Sequence, residues 1–75
     1  MNTQTIKNQT MPRKVIIKLN TPKGNSLYLL GVARKYCRML GLNTIQIHRE
    51  MTQSDYENLI KTFEKYFSEY VTLQR

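Results

Sequence analysis

The first patterned segment of the chain spans residues 14–19, K-V-I-I-K-L, which is rich in β-branched side chains. Its apolar residues recur at every second position, a period typical of a β-strand with one buried face. The odd positions, Val15, Ile17 and Leu19, are predicted to face the core. The even positions form the other face and place two cations around one apolar side chain: Lys14, Ile16 and Lys18.

A turn and a long amphipathic helix follow this strand. Residues 20–24 have the composition of a turn, Asn25 or Ser26 is suited to cap the helix, and Gly41 is suited to end it. One arc of the helical wheel is apolar and is predicted to be buried: Leu29, Val32, Ala33, Tyr36, Cys37 and Leu40. The opposite arc is predicted to be exposed and is basic: Gly31, Arg34, Lys35 and Arg38.

Residues 42–51 admit two interpretations. The run T-I-Q-I-H alternates like a short strand, whereas Asn43 could cap two turns of helix that carry Ile45, His48 and Met51. We favour the helix, because no turn residue separates this run from the helix-forming residues 49–51.

The last third of the chain predicts a helix and a short strand. Ser54 stands three residues before Glu57, the spacing of a capping box, and therefore marks a helix start. A stripe about 120° wide is predicted to face the core: Tyr56, Leu59, Ile60, Phe63, Tyr66, Phe67 and Tyr70. Residues 70–73 suit a terminal strand that pairs beside the first.

These elements predict one small α+β domain over residues 13–75, with the order β-α-α-α-β and a two-stranded sheet. The first and last helices are expected to pack on that sheet. Residues 1–12, rich in Asn, Gln and Thr, are predicted to form a flexible tail, and Met11 is an alternative candidate for the translation start. A domain of this length buries a small core, so we expect a bound partner or a homodimer.

Charge is distributed unevenly along the chain. The net charge is +7; residues 1–23 carry +5, residues 24–49 carry +4 and residues 50–75 carry −2. A clustered positive surface attracts phosphates or an acidic protein. Gly31 lies within the basic arc, where it lets another backbone approach closely or serves packing within the domain.

The residues do not favour catalysis. The sequence spacing brings neither His48 nor an acidic residue beside Cys37 or a serine, and Cys37 falls on a buried arc. His48 and Glu50 match the H-x-E of zinc deaminases without its paired cysteines, so we predict no metal and no cofactor. The absence of an apolar span or leader-like segment and the single cysteine favour a cytoplasmic protein without membrane contact.

A Pro-x-Gly-Asn turn, a helix ending in Leu-Gly-Leu, an Asp-Tyr-x-x-Leu helix and a final Val-Thr-Leu occur between residues 14 and 73. They lie at Pro22, Gly24-Asn25, Leu40-Gly41-Leu42, Asp55-Tyr56 with Leu59, and Val71-Thr72-Leu73. This pattern resembles a set of small, uncharacterised bacteriophage proteins. The resemblance implies a phage origin, with the host bacterial cytoplasm as its location, and brings no established activity.

The basic first strand is also similar to that of ribbon-helix-helix repressors, in which the strand pairs with its two-fold mate and enters the major groove of DNA. That similarity implies that Lys14, Ile16 and Lys18 face the bases. The third helix and the terminal strand are additional to the repressor pattern.

We therefore expect a non-enzymatic, phage-type accessory protein that binds and inhibits or redirects a host macromolecule, either an acidic protein or nucleic acid. The expected binding residues are basic or flank a basic residue: Lys14, Ile16, Lys18, Arg34, Lys35 and Arg38. The alternative is a dimeric DNA-binding regulator that uses the first three of them.

Overall fold

The structure, a computed structural model, describes residues 14–75. The predicted tail, the domain start at residue 13 and the alternative start at Met11 lie outside the described residues. The described chain forms these elements in order: β1 Val15–Lys18, a 3₁₀ turn Pro22–Gly24, α1 Ser26–Leu40, α2 Thr44–Met51, α3 Tyr56–Phe67 and β2 Val71–Gln74. This order confirms the predicted α+β domain with its two-stranded sheet.

The two strands run parallel, with Val15 beside Val71. Parallel pairing requires a long crossover, which the three helices provide. Ile17 is buried whereas Ile16 and Lys18 are exposed, so the predicted two-faced character of β1 is confirmed there. Val15, predicted to face the core, is half exposed because it stands at the first paired position, at the margin of the core.

Nearby residues determine the turn before α1 and the positions at which this helix begins and ends. The Asn25 side chain accepts a hydrogen bond from the backbone N–H two residues on at 2.7 Å, so Asn25 rather than Ser26 is the cap. Gly41 ends the helix in the left-handed region, with φ of 71°. A Cβ at Gly24 would overlap the backbone of Leu19. Only glycine therefore fits this turn.

The ambiguous segment is a helix, α2, capped by Asn43. Of the three residues that this helix was expected to carry, Met51 is buried, whereas Ile45 is 72% exposed and His48 is exposed; Ile47 is the second buried side chain. Residues four apart share one helix face. Because α2 packs against both α1 and α3, the 47/51 face points inwards and Ile45 falls on the far side.

Helix α3 begins one residue later than predicted. Asp55, not Ser54, is the N-cap, and its side chain accepts a hydrogen bond from the Asn58 N–H at 3.0 Å. The predicted capping box is therefore wrong, and Glu57 bonds to Arg75 instead. The Asp55 carboxylate at the N-cap also interacts favourably with the positive end of the helix dipole, whereas an uncharged serine hydroxyl at the cap would not.

The core is a single cluster to which every helix and both strands contribute. Phe63 and Phe67 are its largest side chains, with ring centroids 5.1 Å apart. At its margin the Tyr56 hydroxyl donates to the Gly24 carbonyl at 2.6 Å, which ties α3 to the turn before α1. The complete cluster comprises Ile17, Leu29, Ala33, Cys37, Ile47, Met51, Leu59, Ile60, Phe63, Phe67 and Val71.

Candidate interaction surfaces

The exposed side of α1 combines cations with apolar side chains. Leu29, Ala33 and Cys37 turn into the core, so the opposite side of the helix faces solvent. On that side Leu27 is 76% exposed and Met39 is 66% exposed. We call this side the α1 surface, and it comprises Leu27, Tyr28, Gly31, Arg34, Lys35, Arg38 and Met39.

The cations of the α1 surface have no acidic partner among residues 14–75. The two ion pairs of that part of the chain join Lys65 to Glu50 at 3.6 Å and Arg75 to Glu57 at 2.6 Å. Both pairs lie after α1 in the sequence, as do all five acidic residues. The α1 surface therefore presents positive charge that the described chain does not neutralise.

The acidic side chains near α2 and α3 are engaged locally. Glu50 accepts hydrogen bonds from the Gln46 amide at 3.3 Å and the Tyr66 hydroxyl at 3.0 Å. These bonds and a neighbouring lysine hold the pKa of Glu50 below its ordinary value. Hydrogen bonds from the Arg75 guanidinium likewise lower the pKa of Glu57. Two of the five carboxylates are thus already paired within the molecule.

Gly31 lies in the middle of the α1 surface and is exposed. A Cβ built there meets no atom of residues 14–75 within 4 Å, so packing among the described residues does not require a glycine at this position. In a helix interior, glycine lowers stability by about 1 kcal/mol relative to alanine. No contact among residues 14–75 accounts for this glycine, and the interpretation that it leaves room for the backbone of a binding partner stays a prediction.

The exposed face of β1 forms a second surface. Ile16, 60% exposed, lies beside Thr72, and Lys18 lies beside Gln74. Lys18 and Lys23 line the same open depression, which has a volume of about 560 Å³. We call this face the β1 surface, and it comprises Ile16, Lys18, Thr21, Pro22, Lys23 and Gln74, with the exposed Lys14 just before the strand.

The six predicted binding residues are divided between these two surfaces. Ile17 of β1 and the inner residues of α1 belong to the same core, so the exposed sides of the two elements point away from it. The apolar members Leu27 and Met39 were missed by sequence reasoning, although both fall on the outer arc of the helical wheel. Lys23 was missed because a turn residue carries no periodic signal.

The cleft between α1 and α2 brings together two side chains that sequence spacing did not connect. Cys37 and His48 both line it, together with Arg34. The cleft has a volume of about 10 Å³, roughly that of one water-sized sphere. Since Cys37 is also buried, no substrate reaches its thiol in this conformation. Residues 14–75 contain no group of three side chains suited to hold a metal ion.

The chain was compared with protein families, with curated proteins and with solved structures. No protein-family model, curated protein or solved structure matches the chain. Among the helices of residues 14–75, none is both long enough and apolar enough to span a membrane.

Proposed function

We propose that the protein acts by binding an acidic protein through the α1 surface, and that it inhibits or redirects this partner without catalysis. One observation carries the proposal. A single exposed helix side combines three cations that lack ion pairs within residues 14–75, two strongly exposed apolar side chains and an exposed glycine. Steric binding of this kind needs no catalytic residue.

The composition of the α1 surface favours a protein partner over nucleic acid. Methionine and arginine are enriched at the centres of protein–protein interfaces, where apolar area is buried. Surfaces that bind DNA are more polar and more uniformly positive. Leu27 and Met39 stand at the two ends of the cationic group, so a partner that covers the cations also covers apolar side chains. An acidic and partly apolar protein face fits this arrangement.

The resemblance to small phage proteins supports a bacterial setting for this binding. In that setting the partner is a host protein in the bacterial cytoplasm, and occupying its acidic site prevents or diverts the contacts that it normally makes.

The test compares two double variants of equal charge in affinity purification from nuclease-treated bacterial lysate. Lys35→Gln with Arg38→Gln neutralises two cations of the α1 surface. Arg49→Gln with Lys61→Gln neutralises two exposed cations on α2 and α3. Each double variant lowers the net charge of +7 by two, so non-specific attraction falls equally in both.

We expect the wild-type protein and the Arg49/Lys61 variant to retain the same acidic protein, and the Lys35/Arg38 variant to bind it about tenfold more weakly. The captured protein is then purified and its affinity measured by calorimetry at two salt concentrations. Equal weakening in both double variants, or capture that disappears with nuclease, would contradict binding of a protein through the α1 surface.

A dimeric DNA-binding regulator is the second candidate, favoured by the exposed Ile16 and Lys18 on one face of β1 and by the exposed Lys14 just before the strand. Ribbon-helix-helix repressors read bases with such a face. In this chain β1 already pairs with β2 in parallel, so a two-fold ribbon would have to form at the other edge of β1.

Titration of fluorescent duplex DNA at 50 mM and 200 mM salt tests this candidate. A regulator is expected to bind the duplex with an affinity that falls steeply with salt, and to lose that affinity in the Lys14→Gln, Lys18→Gln variant. Absence of duplex binding at 50 mM salt would exclude the DNA-binding regulator.

A further inference from the structure

One edge of β1 is open among the described residues. The Val15 N–H donates to the Tyr70 carbonyl at 3.0 Å, and the Leu19 N–H donates to the Gln74 carbonyl at 2.7 Å. The backbone groups of odd residues in β1 therefore point towards β2. Because successive residues of a strand alternate in direction, the backbone groups of residues 16 and 18 point to the opposite edge.

Three backbone groups at this edge have no hydrogen-bond partner within residues 14–75. The Lys18 carbonyl is not among them, since it accepts from both the N–H and the hydroxyl of Thr21. The unpaired groups are the N–H and carbonyl of Ile16 and the N–H of Lys18. A row of unpaired donors and acceptors on an edge strand is a template for the addition of another strand.

The side chains of β1 disfavour a second copy of the same chain as that strand. Antiparallel pairing centred on Ile16 would set Lys14 of one copy directly opposite Lys18 of the other. Parallel pairing in register would need the odd-residue backbone groups of one copy, which already bond to β2. Like charges that face each other across a ladder are destabilising, and lysines on an edge strand are a common means of preventing self-association.

The same side chains favour an acidic strand. Lys14 and Lys18 flank the exposed Ile16 on one face, so a complementary strand needs acidic, apolar and acidic side chains at alternate positions. The acidic side chain beside Lys18 would enter the depression that Lys23 also lines, where it meets a second ammonium group.

We propose that the free edge of β1 binds an extended segment of an acidic protein, with the pattern acidic–x–apolar–x–acidic, as a third strand of the sheet. This site is separate from the α1 surface and does not depend on the function proposed for it.

The probe is a seven-residue peptide with glutamates at positions 2 and 6, valine at position 4 and threonine elsewhere. This pattern is symmetric and fits either strand direction. The control peptide has the same composition with glutamates at positions 3 and 5, so its acidic side chains lie on the opposite face from the valine. Binding to the full chain is measured by fluorescence anisotropy, and amide hydrogen exchange is followed by NMR.

We expect the first peptide to bind roughly tenfold more tightly than the control peptide, and to slow the exchange of the Ile16 and Lys18 amides. The Lys14→Gln, Lys18→Gln variant should lose this preference. The Arg49→Gln, Lys61→Gln variant, with the same net charge, should keep it.

Equal affinity for the two peptides, or binding without protection of the Ile16 amide, would show general charge attraction and overturn the proposal. Slow exchange of that amide before peptide is added would show that the chain itself or a second copy occupies the edge, and would also overturn it. Binding of duplex DNA that depends on Lys14 and Lys18, with no binding of either peptide, would assign the β1 surface to nucleic acid.

Discussion

Helices α1 and α3 are both amphipathic and pack on the same core, but their exposed sides differ. Helix α3 buries five side chains, including Phe63 and Phe67, whereas α1 buries three smaller ones. The outer side of α3 mixes acidic and basic residues, and its Glu57 is bonded to Arg75. The outer side of α1 carries cations without an ion pair among residues 14–75, exposed apolar residues and Gly31, around which a Cβ would meet open space.

This difference separates the source of stability from the candidate source of recognition. Substitutions in α3 should change mainly the free energy of unfolding. Substitutions on the α1 surface should change mainly binding.

The largest expected effect is on the buried face of α3. Phe63 is 0% exposed, and replacing it with alanine should lower the free energy of unfolding by about 3–5 kcal/mol. A loss of this size would unfold much of so small a domain. Met39→Ala on the α1 surface should change stability by less than about 0.5 kcal/mol. Urea denaturation followed by circular dichroism measures both, and similar losses in the two variants would contradict the division.

Two glycines should respond to alanine with opposite signs. Gly31→Ala should raise stability by about 1 kcal/mol, because helix propensity improves and the new Cβ meets open space. Gly41→Ala should lower it by about 1–2 kcal/mol, because φ is 71° there. Thermal unfolding tests the signs. If Gly31 leaves room for a partner, Gly31→Ala should weaken partner binding although it stabilises the fold, and unchanged binding would remove that interpretation.

The start of α3 should depend on Asp55 and not on its neighbour. Asp55→Ala removes the side chain that accepts the Asn58 N–H and should cost about 1 kcal/mol. Ser54→Ala should leave stability nearly unchanged. Chemical denaturation of the two variants distinguishes the caps, and a larger loss at Ser54 would restore the capping box that the sequence suggested.

The smallest expected effect is on how the stability of the fold changes at acidic pH. The pKa of Glu50 is lowered by hydrogen bonds from Gln46 and Tyr66 and by Lys65. A lowered folded-state pKa means that the stabilisation is present above the ordinary glutamate pKa and is lost as pH falls through the folded value. Glu50→Gln should therefore flatten the acid side of the stability profile, whereas Lys35→Gln on α1 should not. Unfolding midpoints measured across acidic pH test this difference. Identical profiles for the Glu50→Gln variant and the wild-type protein would contradict the hydrogen bonds assigned to Glu50.

The order of elements could be predicted because each carried its own local signal: alternation in β1, a 3.6-residue period in α1 and α3, and a turn with Pro22 and Gly24 before α1. The cap of α3 could not be predicted, since Ser54 and Asp55 are both good caps. Packing against the core decides at which of them the helix begins. The inner face of α2 was missed for a similar reason. Two helical turns present several faces, and the packing of neighbours α1 and α3 decides which one is buried.

The candidate binding residues were predicted from the sequence by charge and expected exposure, which are local properties. Their separation into two surfaces could not be predicted, because it depends on how β1 and α1 enclose the core. Whether packing among residues 14–75 requires a glycine at position 31 could be decided only when its neighbours in space were known. The open edge of β1 likewise follows from the parallel pairing with β2, which alternation alone does not specify.

The central claim is that the α1 surface is the face that binds a partner. A photo-reactive side chain placed at Met39 on α1, and in a separate protein at Glu64 on α3, tests this claim in nuclease-treated bacterial lysate. We expect a covalent adduct with an acidic protein from position 39 that weakens when Lys35→Gln and Arg38→Gln are added, and little adduct from position 64. Equal adducts from both positions, or none from position 39, would contradict binding through the α1 surface.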